Sequence, residues 1–124
     1  MSTLNDLGTE ILEINRANGW DVPSSSDWDE LVSSTKDTLL DDALQVIYRY
    51  KIPTSLCLIH SEVSEALEEF RKDHRLDHFG EELVDVLIRT IELGAGLGID
   101  LDAAMAAKLE KNRGRGHRHG GRLI

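Results

Sequence analysis

The sequence predicts an all-α protein: a bundle of four to five helices forming one domain over residues 1–113, followed by a basic tail over residues 114–124. Apolar residues recur at intervals of three and four along most of the chain, which is the helical period. The 124 residues include only two prolines, and few runs are rich in β-branched residues. Hydrophobic residues make up 40% of the chain and charged residues 30%, as is typical of a globular protein.

In the first half of the chain, capping and breaking residues mark the predicted helices. Ser2 or Thr3 can cap a first helix, which the pair Asn18–Gly19 would end. A loop over residues 20–28 carries both tryptophans, and a short helix is expected near residues 28–32. A clearer helix covers residues 38–50, and Pro53 is expected to break it at residues 51–53.

In the second half of the chain, three further helices are predicted. One covers about residues 54–72, and a polar turn follows at residues 73–76. Asp77 is the predicted cap of the next helix, which ends near residues 94–98. Asp100 caps the last helix, which is expected to fray after Asn112 because glycines interrupt the tail.

Two pairs of carboxylates lie one helical turn apart on neighbouring predicted helices. Glu62 and Glu65 form the first pair, and Glu82 and Asp85 form the second. Apolar residues flank both pairs, so the ionised acids need a cation, and oxygen ligands suit Mg²⁺ or Mn²⁺. The alternative from the residues alone is an ordinary solvated acidic face, with Asp85 paired to Arg89 at i+4.

Several other classes of protein are excluded or disfavoured. Di-iron bundles use an E-x-x-H pair, and P-loop proteins use G-x-x-x-x-G-K-[ST]; the sequence contains neither. A net charge of −9 argues against a nucleic-acid polymer as the main partner. The single cysteine, Cys57, is expected to be a core residue in a reducing compartment. With no membrane-spanning run and no signal-peptide pattern, a cytoplasmic location is expected.

The positive charge is concentrated at the end of the chain. Residues 108–124 contain six Lys/Arg against Glu110, a charge of +5, which leaves −14 on the preceding residues. Lys108, Asn112 and Arg115 could contact phosphate oxygens while the acid pairs hold Mg²⁺. These are the groups needed for phosphoryl or nucleotidyl transfer to water.

Two motifs in this order resemble those of MazG-like nucleotide pyrophosphohydrolases, in the all-α NTP pyrophosphatase superfamily. The first is Ser61-Glu62-Val63-Ser64-Glu65 with Glu82-Leu83-Val84-Asp85, similar to E-E-x-x-E followed by E-x-x-D. The second, over residues 108–121, is similar to the ending K-x-x-x-N-x-x-R-P-x-x-H-G. Ser61 stands in place of the first glutamate of the family pattern, and Gly116 in place of its proline.

The resemblance implies Mg²⁺-dependent hydrolysis of a nucleoside triphosphate, most simply a dNTP, between the α- and β-phosphates. The products would be the monophosphate and pyrophosphate, as in house-cleaning of nucleotide pools. Mg²⁺, or Mn²⁺ in its place, would be held by four ligands: Glu62, Glu65, Glu82 and Asp85. The resemblance also implies a homodimer or a homotetramer, and it makes Trp20 and Trp28 candidates for the base pocket.

Two alternatives remain open. A phosphoribosyl-ATP pyrophosphatase belongs to the same superfamily, and a non-catalytic helical dimerisation module would keep the bundle without the chemistry. The nearly all-round apolar helix over residues 81–93 favours a second copy of the chain as partner in any of these cases.

Overall fold

The computed structural model describes residues 3–34 and 42–115, apart from the side chains of residues 33–34 and 42–48. Three features of the sequence predictions lie outside this part: the possible cap Ser2, the start of the helix predicted at residue 38, and the tail from Gly116 onward. Within the described residues all regular secondary structure is helical and there is no strand, which confirms the all-α prediction.

The described chain forms five helices: α1 Leu4–Ala17, α2 Ser25–Ser34, α3 Asp42–Lys72, α4 Leu76–Gly96 and α5 Leu101–Arg113. The three residues between α3 and α4 fold these two long helices into a hairpin, which is the most extensive packing in the molecule. α1 packs on α4, α2 packs on α3, and α5 contacts both α1 and α4. The α3–α4 hairpin therefore forms the frame on which the other helices are arranged.

The predicted caps of α1 and α5 are present. Thr3 Oγ1 accepts a hydrogen bond from the Asp6 backbone N–H, and the Asp6 carboxylate accepts one from the Thr3 N–H, both at 3.1 Å. Asp100 accepts from the Ala103 N–H at 3.0 Å. Asn5 joins the two helix ends, because its amide donates to Asp100 and accepts from the Leu101 N–H, both at 2.9 Å.

The predicted break at Pro53 is wrong, because α3 continues through this residue. Proline removes the backbone donor to the Arg49 carbonyl, and two hydroxyl groups after it bond to other carbonyls of the preceding turn. Thr54 Oγ1 donates to the Tyr50 carbonyl at 2.7 Å, and Ser55 Oγ donates to the Lys51 carbonyl at 3.3 Å. Packing of α2 and α4 against the same helix adds the stabilisation that offsets the proline.

The cap predicted for α4 is also wrong. The helix begins two residues earlier, with Arg75 as N-cap and no side-chain hydrogen bond at the cap position. Asp77 lies in the first turn, where its carboxylate pairs with the Arg75 guanidinium at 2.8 Å. His74 adopts a left-handed backbone conformation (φ 56°), which lets the chain reverse within so short a connection.

A close backbone contact fixes the loop between α1 and α2. A Cβ atom on Gly96, the last residue of α4, would lie 2.1 Å from the Pro23 carbonyl oxygen. Only glycine permits this approach, which holds the segment carrying Trp20 against the end of α4. Gly8 has the same role in the α1–α4 contact, where a Cβ atom would lie 2.7 Å from the Ala95 Cβ.

Few apolar side chains are buried in the part of the chain that the structure describes. Among the described residues, Leu12 and Ala66 are the buried hydrophobic side chains of the core. Cys57 is exposed, which corrects the expectation that it is a core residue. The exposed large residues of α3 include Leu56, Val63, Leu67 and Phe70, which follow one another at helical intervals of seven, four and three.

The long helices are not hydrophobic enough for a bilayer. Within the described part of the chain, no helix combines the length and the apolar content needed to cross a membrane.

Candidate metal centre

The α3–α4 hairpin brings three of the four predicted acids together. Glu62 of α3 and Glu82 and Asp85 of α4 each offer a carboxylate oxygen, and these three oxygens lie within 4.8 Å of one another. Glu62 is 7% exposed, Glu82 is half-buried and Asp85 is exposed. The spacing predicted from two separate helices is therefore realised as one cluster in space.

Glu82 is the member of the cluster with a carboxylate oxygen that lacks a hydrogen-bond partner among the described residues. Its Oε2 atom is buried and has no hydrogen-bond partner within the described residues. Burial raises the pKa of Glu82, and the negative charges of Glu65, Asp85, Glu69 and Glu62 raise it further, in that order. A buried carboxylate oxygen among other carboxylates requires either a proton or a cation.

The donor set indicates which cation would fit. The three converging ligands are all carboxylate oxygens, without sulfur or imidazole nitrogen. Such oxygen sets are preferred by hard divalent ions, Mg²⁺, Mn²⁺ or Ca²⁺, and are poor sites for zinc or copper. The residues present therefore fit the magnesium ion expected from the sequence.

Glu65, the fourth expected ligand, lies one turn further along α3 and is exposed. It is outside the cluster of three, yet it is near enough for its charge to raise the Glu82 pKa. Glu69, another turn along, is partly neutralised by Lys72 at 3.1 Å and lies 3.7 Å from the His78 ring. The carboxylates of α3 thus differ: Glu62 is enclosed, and Glu65 is open to an incoming molecule.

An arginine supplies positive charge at the cluster. The Arg89 Nε of α4 donates a hydrogen bond to Oε1 of Glu62 on α3. Among the described residues, this is the ion pair that Arg89 makes, so the i+4 pairing with Asp85 suggested by the sequence is not the one formed. Glu62 is consequently the member of the cluster with a cationic partner, and within the described part of the chain Glu82 and Asp85 form no ion pair.

The cluster opens into a cavity with a volume of about 490 Å³. Its walls come from three parts of the chain: the end of α1 with the loop after it, the middle of α3 and the second half of α4. Glu62 and Asp85 lie in these walls together with Arg89 and Trp20. Carboxylates, a guanidinium and an indole ring therefore face one space.

The structure separates the two predicted aromatic residues. Trp20 lines the cavity beside the acids, although 68% of it remains exposed. Trp28 lies on α2, is 50% exposed and is outside the residues that line the cavity. Trp20 alone is positioned to meet a ligand in this space within one chain.

The predicted phosphate-contacting residues lie elsewhere in the single chain. Lys108 and Asn112 are exposed on α5, and Arg115 is exposed just after it. They are outside the residues that line the cavity, and α5 packs on α1 and α4. Their contact with a ligand therefore stays a prediction.

Two polar residues of the cavity were not singled out from the sequence as site residues. Asn15 of α1 donates a side-chain hydrogen bond to Glu92 of α4, and both residues line the cavity. Arg89 and Glu92 lie on the same face of α4 as Glu82 and Asp85. This shared face was the sequence feature from which Glu92 could have been identified as a site residue. Asn15 carried no such signal, because its position depends on how α1 packs against α4.

Comparison with known proteins adds no family assignment. The chain matches no protein-family model, no curated protein sequence is significantly similar to it, and no solved structure has a significantly similar fold.

Proposed function

We propose that this protein is a Mg²⁺-dependent nucleoside triphosphate pyrophosphohydrolase. It would cleave a dNTP between the α- and β-phosphates, giving a monophosphate and pyrophosphate. The observation that carries the proposal is the buried, unpartnered Glu82 oxygen within a carboxylate cluster that opens into a cavity lined by an arginine and a tryptophan. The proposal that the bond between the α- and β-phosphates is the one cleaved comes from the motif resemblance.

In this proposal, Glu62, Glu82 and Asp85 hold the metal, with Glu65 beside them. Mg²⁺ bound there would neutralise the phosphate oxygens and make the phosphorus more open to attack by water. Glu65 is exposed next to the cluster, so its carboxylate can accept the proton that the attacking water loses. Among the described residues Glu65 is in no ion pair, whereas Glu62 is paired with Arg89.

Arg89 and Trp20 would bind the substrate. The Arg89 guanidinium is 39% exposed in the cavity wall and presents several N–H donors, the geometry that suits phosphate oxygens. If a metal took over the neutralisation of Glu62, the Arg89 guanidinium would be free to bind a phosphate. The Trp20 ring offers a flat apolar surface in the same cavity, against which a nucleobase can stack.

We further propose that the active form is a homodimer or a dimer of dimers. The exposed stripe of α3 (Leu56, Val63, Leu67 and Phe70) has a counterpart in Leu83 and Leu87 of α4, which are also exposed. Apolar area of this kind on the two longest helices is typical of a surface covered in an oligomer. Lys108, Asn112 and Arg115 are retained as candidate phosphate ligands, in their own subunit or in a partner.

The test is product analysis. The protein is incubated with a panel of dNTPs and NTPs in Mg²⁺ and in EDTA, and products are separated by anion-exchange chromatography. The proposal predicts monophosphate and pyrophosphate in equal amounts, in Mg²⁺ only. Diphosphate with orthophosphate would contradict the choice of bond.

Matched variants assign the chemistry to the cluster. Glu65→Gln and Asp85→Asn are expected to lower turnover by at least about a hundredfold with unchanged helical content. Glu68→Gln, an exposed acid of α3 that pairs with Arg71, is the control and should keep full activity. Wild-type rates in both site variants would overturn the assignment.

A further inference from the structure

The cavity has a second polar pair, away from the carboxylate cluster. The Asn15 side-chain amide of α1 donates to Oε1 of Glu92 on α4, and both residues are half-buried in the cavity wall. Neither residue is needed to hold a metal. Partial burial of a carboxylate costs free energy unless hydrogen bonds compensate for it. The hydrogen bond from Asn15 uses one oxygen of Glu92, so we ask whether the pair has a role besides linking α1 to α4.

The Asn15–Glu92 pair lies further along α4 than Asp85 of the carboxylate cluster. Asp85 and Glu92 are seven residues apart on α4, and both line the cavity, so about 10 Å separates them along the helix axis. This separation is similar to that between the α-phosphate and the Watson–Crick edge of the base in an extended nucleotide. Trp20 lines the same cavity and offers the stacking surface.

We infer that Asn15 and Glu92 select the nucleobase, and that they favour bases with an exocyclic amino group, namely cytosine, adenine and guanine, over thymine and uracil. This inference rests on the proposed function. It extends that function by identifying the class of substrate and the two side chains that read it.

The chemistry of the pair gives the direction of the preference. A carboxylate only accepts hydrogen bonds, and Asn15 already donates to one oxygen of Glu92, which leaves the other oxygen to accept a hydrogen bond from a ligand. An amino group can donate to that oxygen. Thymine and uracil have one ring N–H between two carbonyl oxygens, and these oxygens would be repelled by the carboxylate.

The test compares substrates within one variant. The ratio of kcat/KM for dATP, dCTP and dGTP to kcat/KM for dTTP and dUTP is measured for the wild type and for Glu92→Gln. Glutamine can still accept the Asn15 hydrogen bond, and its amide also donates to a base carbonyl. We expect the wild type to favour at least one amino-bearing base about tenfold over dTTP, and the variant to lose or reverse that ratio.

Glu10→Gln, an exposed acid on α1, serves as control and should leave all ratios unchanged. Equal loss of activity for every base in Glu92→Gln, with a lowered melting temperature, would mean that the pair is only a structural tie, and the inference would fall. The inference would fall equally if the wild type preferred dTTP or dUTP.

A binding experiment separates this inference from the proposed hydrolysis. Isothermal titration with dAMP, dCMP, dGMP, dTMP and dUMP reports base preference without turnover. If no triphosphate is hydrolysed but an amino-bearing monophosphate binds and Glu92→Gln abolishes its advantage, the base selection stands and the enzymatic proposal fails. If none of the monophosphates binds, or all bind alike, the base selection fails whatever the turnover.

Discussion

The Arg89 guanidinium of α4 forms an ion pair with Glu62 of α3, across the interface of the hairpin that carries the carboxylate cluster. Glu62 is the most enclosed acid of the cluster, and Arg89 reaches it from the half of α4 that faces the cavity. The arginine thus neutralises one buried carboxylate, whereas Oε2 of Glu82 has no hydrogen-bond partner among the described residues. The Arg89–Glu62 pair therefore offsets part of the repulsion among the three converging acids.

The first prediction concerns the stability that this ion pair provides without metal. Arg89→Met should lower the free energy of unfolding in EDTA by about 1–3 kcal/mol, because Glu62 is left charged and enclosed. Mg²⁺ should then stabilise the variant more than it stabilises the wild type. Chemical denaturation with and without Mg²⁺ measures both effects. Arg71→Met, at an exposed pair, is the control, and equal losses in the two variants would contradict the prediction.

The second prediction concerns Glu82, whose charge opposes folding. Since burial and neighbouring carboxylates raise its pKa, folding disfavours the ionised form of Glu82 relative to the protonated form. Glu82→Gln should therefore raise the melting temperature in EDTA and remove the increase caused by Mg²⁺. Thermal unfolding in the two buffers checks this. A Mg²⁺ response equal to that of the wild type would show that Glu82 is not a ligand.

Much of this architecture was predictable from local sequence. Thr3 and Asp100 cap their helices because each hydroxyl or carboxylate bonds to a backbone N–H three residues on, an interaction within one turn. The acid pairs were predictable for the same reason, since i and i+3 share a face. The prediction at Pro53 was wrong because the packing of α2 and α4 on α3 outweighs the local effect of the proline.

The parts that were not predictable depend on packing between distant segments. Asn15 and Glu92 meet only because α1 lies on α4, and the tight Gly8–Ala95 contact sets that position. The choice of Glu62 rather than Asp85 as the partner of Arg89 depends on how closely α3 and α4 approach. Neither contact produces a periodic pattern in the sequence from which it could be predicted.

The third prediction concerns pH and the contact between α2 and α3. Lys51 pairs with Asp27 at 2.9 Å and with Asp21 at 3.2 Å. Burial acts to raise the pKa of Asp27, but hydrogen bonds from Lys51 and Ser24 outweigh it and hold the pKa below its ordinary value of 3.8. The stabilisation is complete above that value and is lost as pH falls through the lower folded-state pKa.

Lys51→Met should therefore cost about 1–2 kcal/mol at pH 7, and the difference from the wild type should shrink below about pH 4. Urea unfolding at a series of pH values measures it. If the free energy of unfolding changed with pH in the same way in the wild type and in Lys51→Met, the acid sensitivity could not be assigned to the Lys51–Asp27 pair.

The fourth prediction concerns assembly. A chain of 13.9 kDa with so small a core should occur in solution at two or four times that mass. Leu67→Glu and Leu87→Glu place charges on the exposed stripes of α3 and α4 and should shift the mass toward that of a single chain with lower stability. Light scattering coupled to gel filtration gives the masses. Ile14→Glu, exposed on α1, is the control, and a monomeric wild type would overturn the expectation.

The most direct test of the account is whether the carboxylate cluster binds a hard divalent ion. Isothermal titration of Mn²⁺ into the metal-free wild type should show a site that Mg²⁺ competes for. The same titration of Asp85→Asn and Glu82→Gln should show its loss, whereas Glu68→Gln should bind as the wild type does. Absence of binding in the wild type, or unchanged binding in both cluster variants, would contradict the metal centre and with it the proposed hydrolysis.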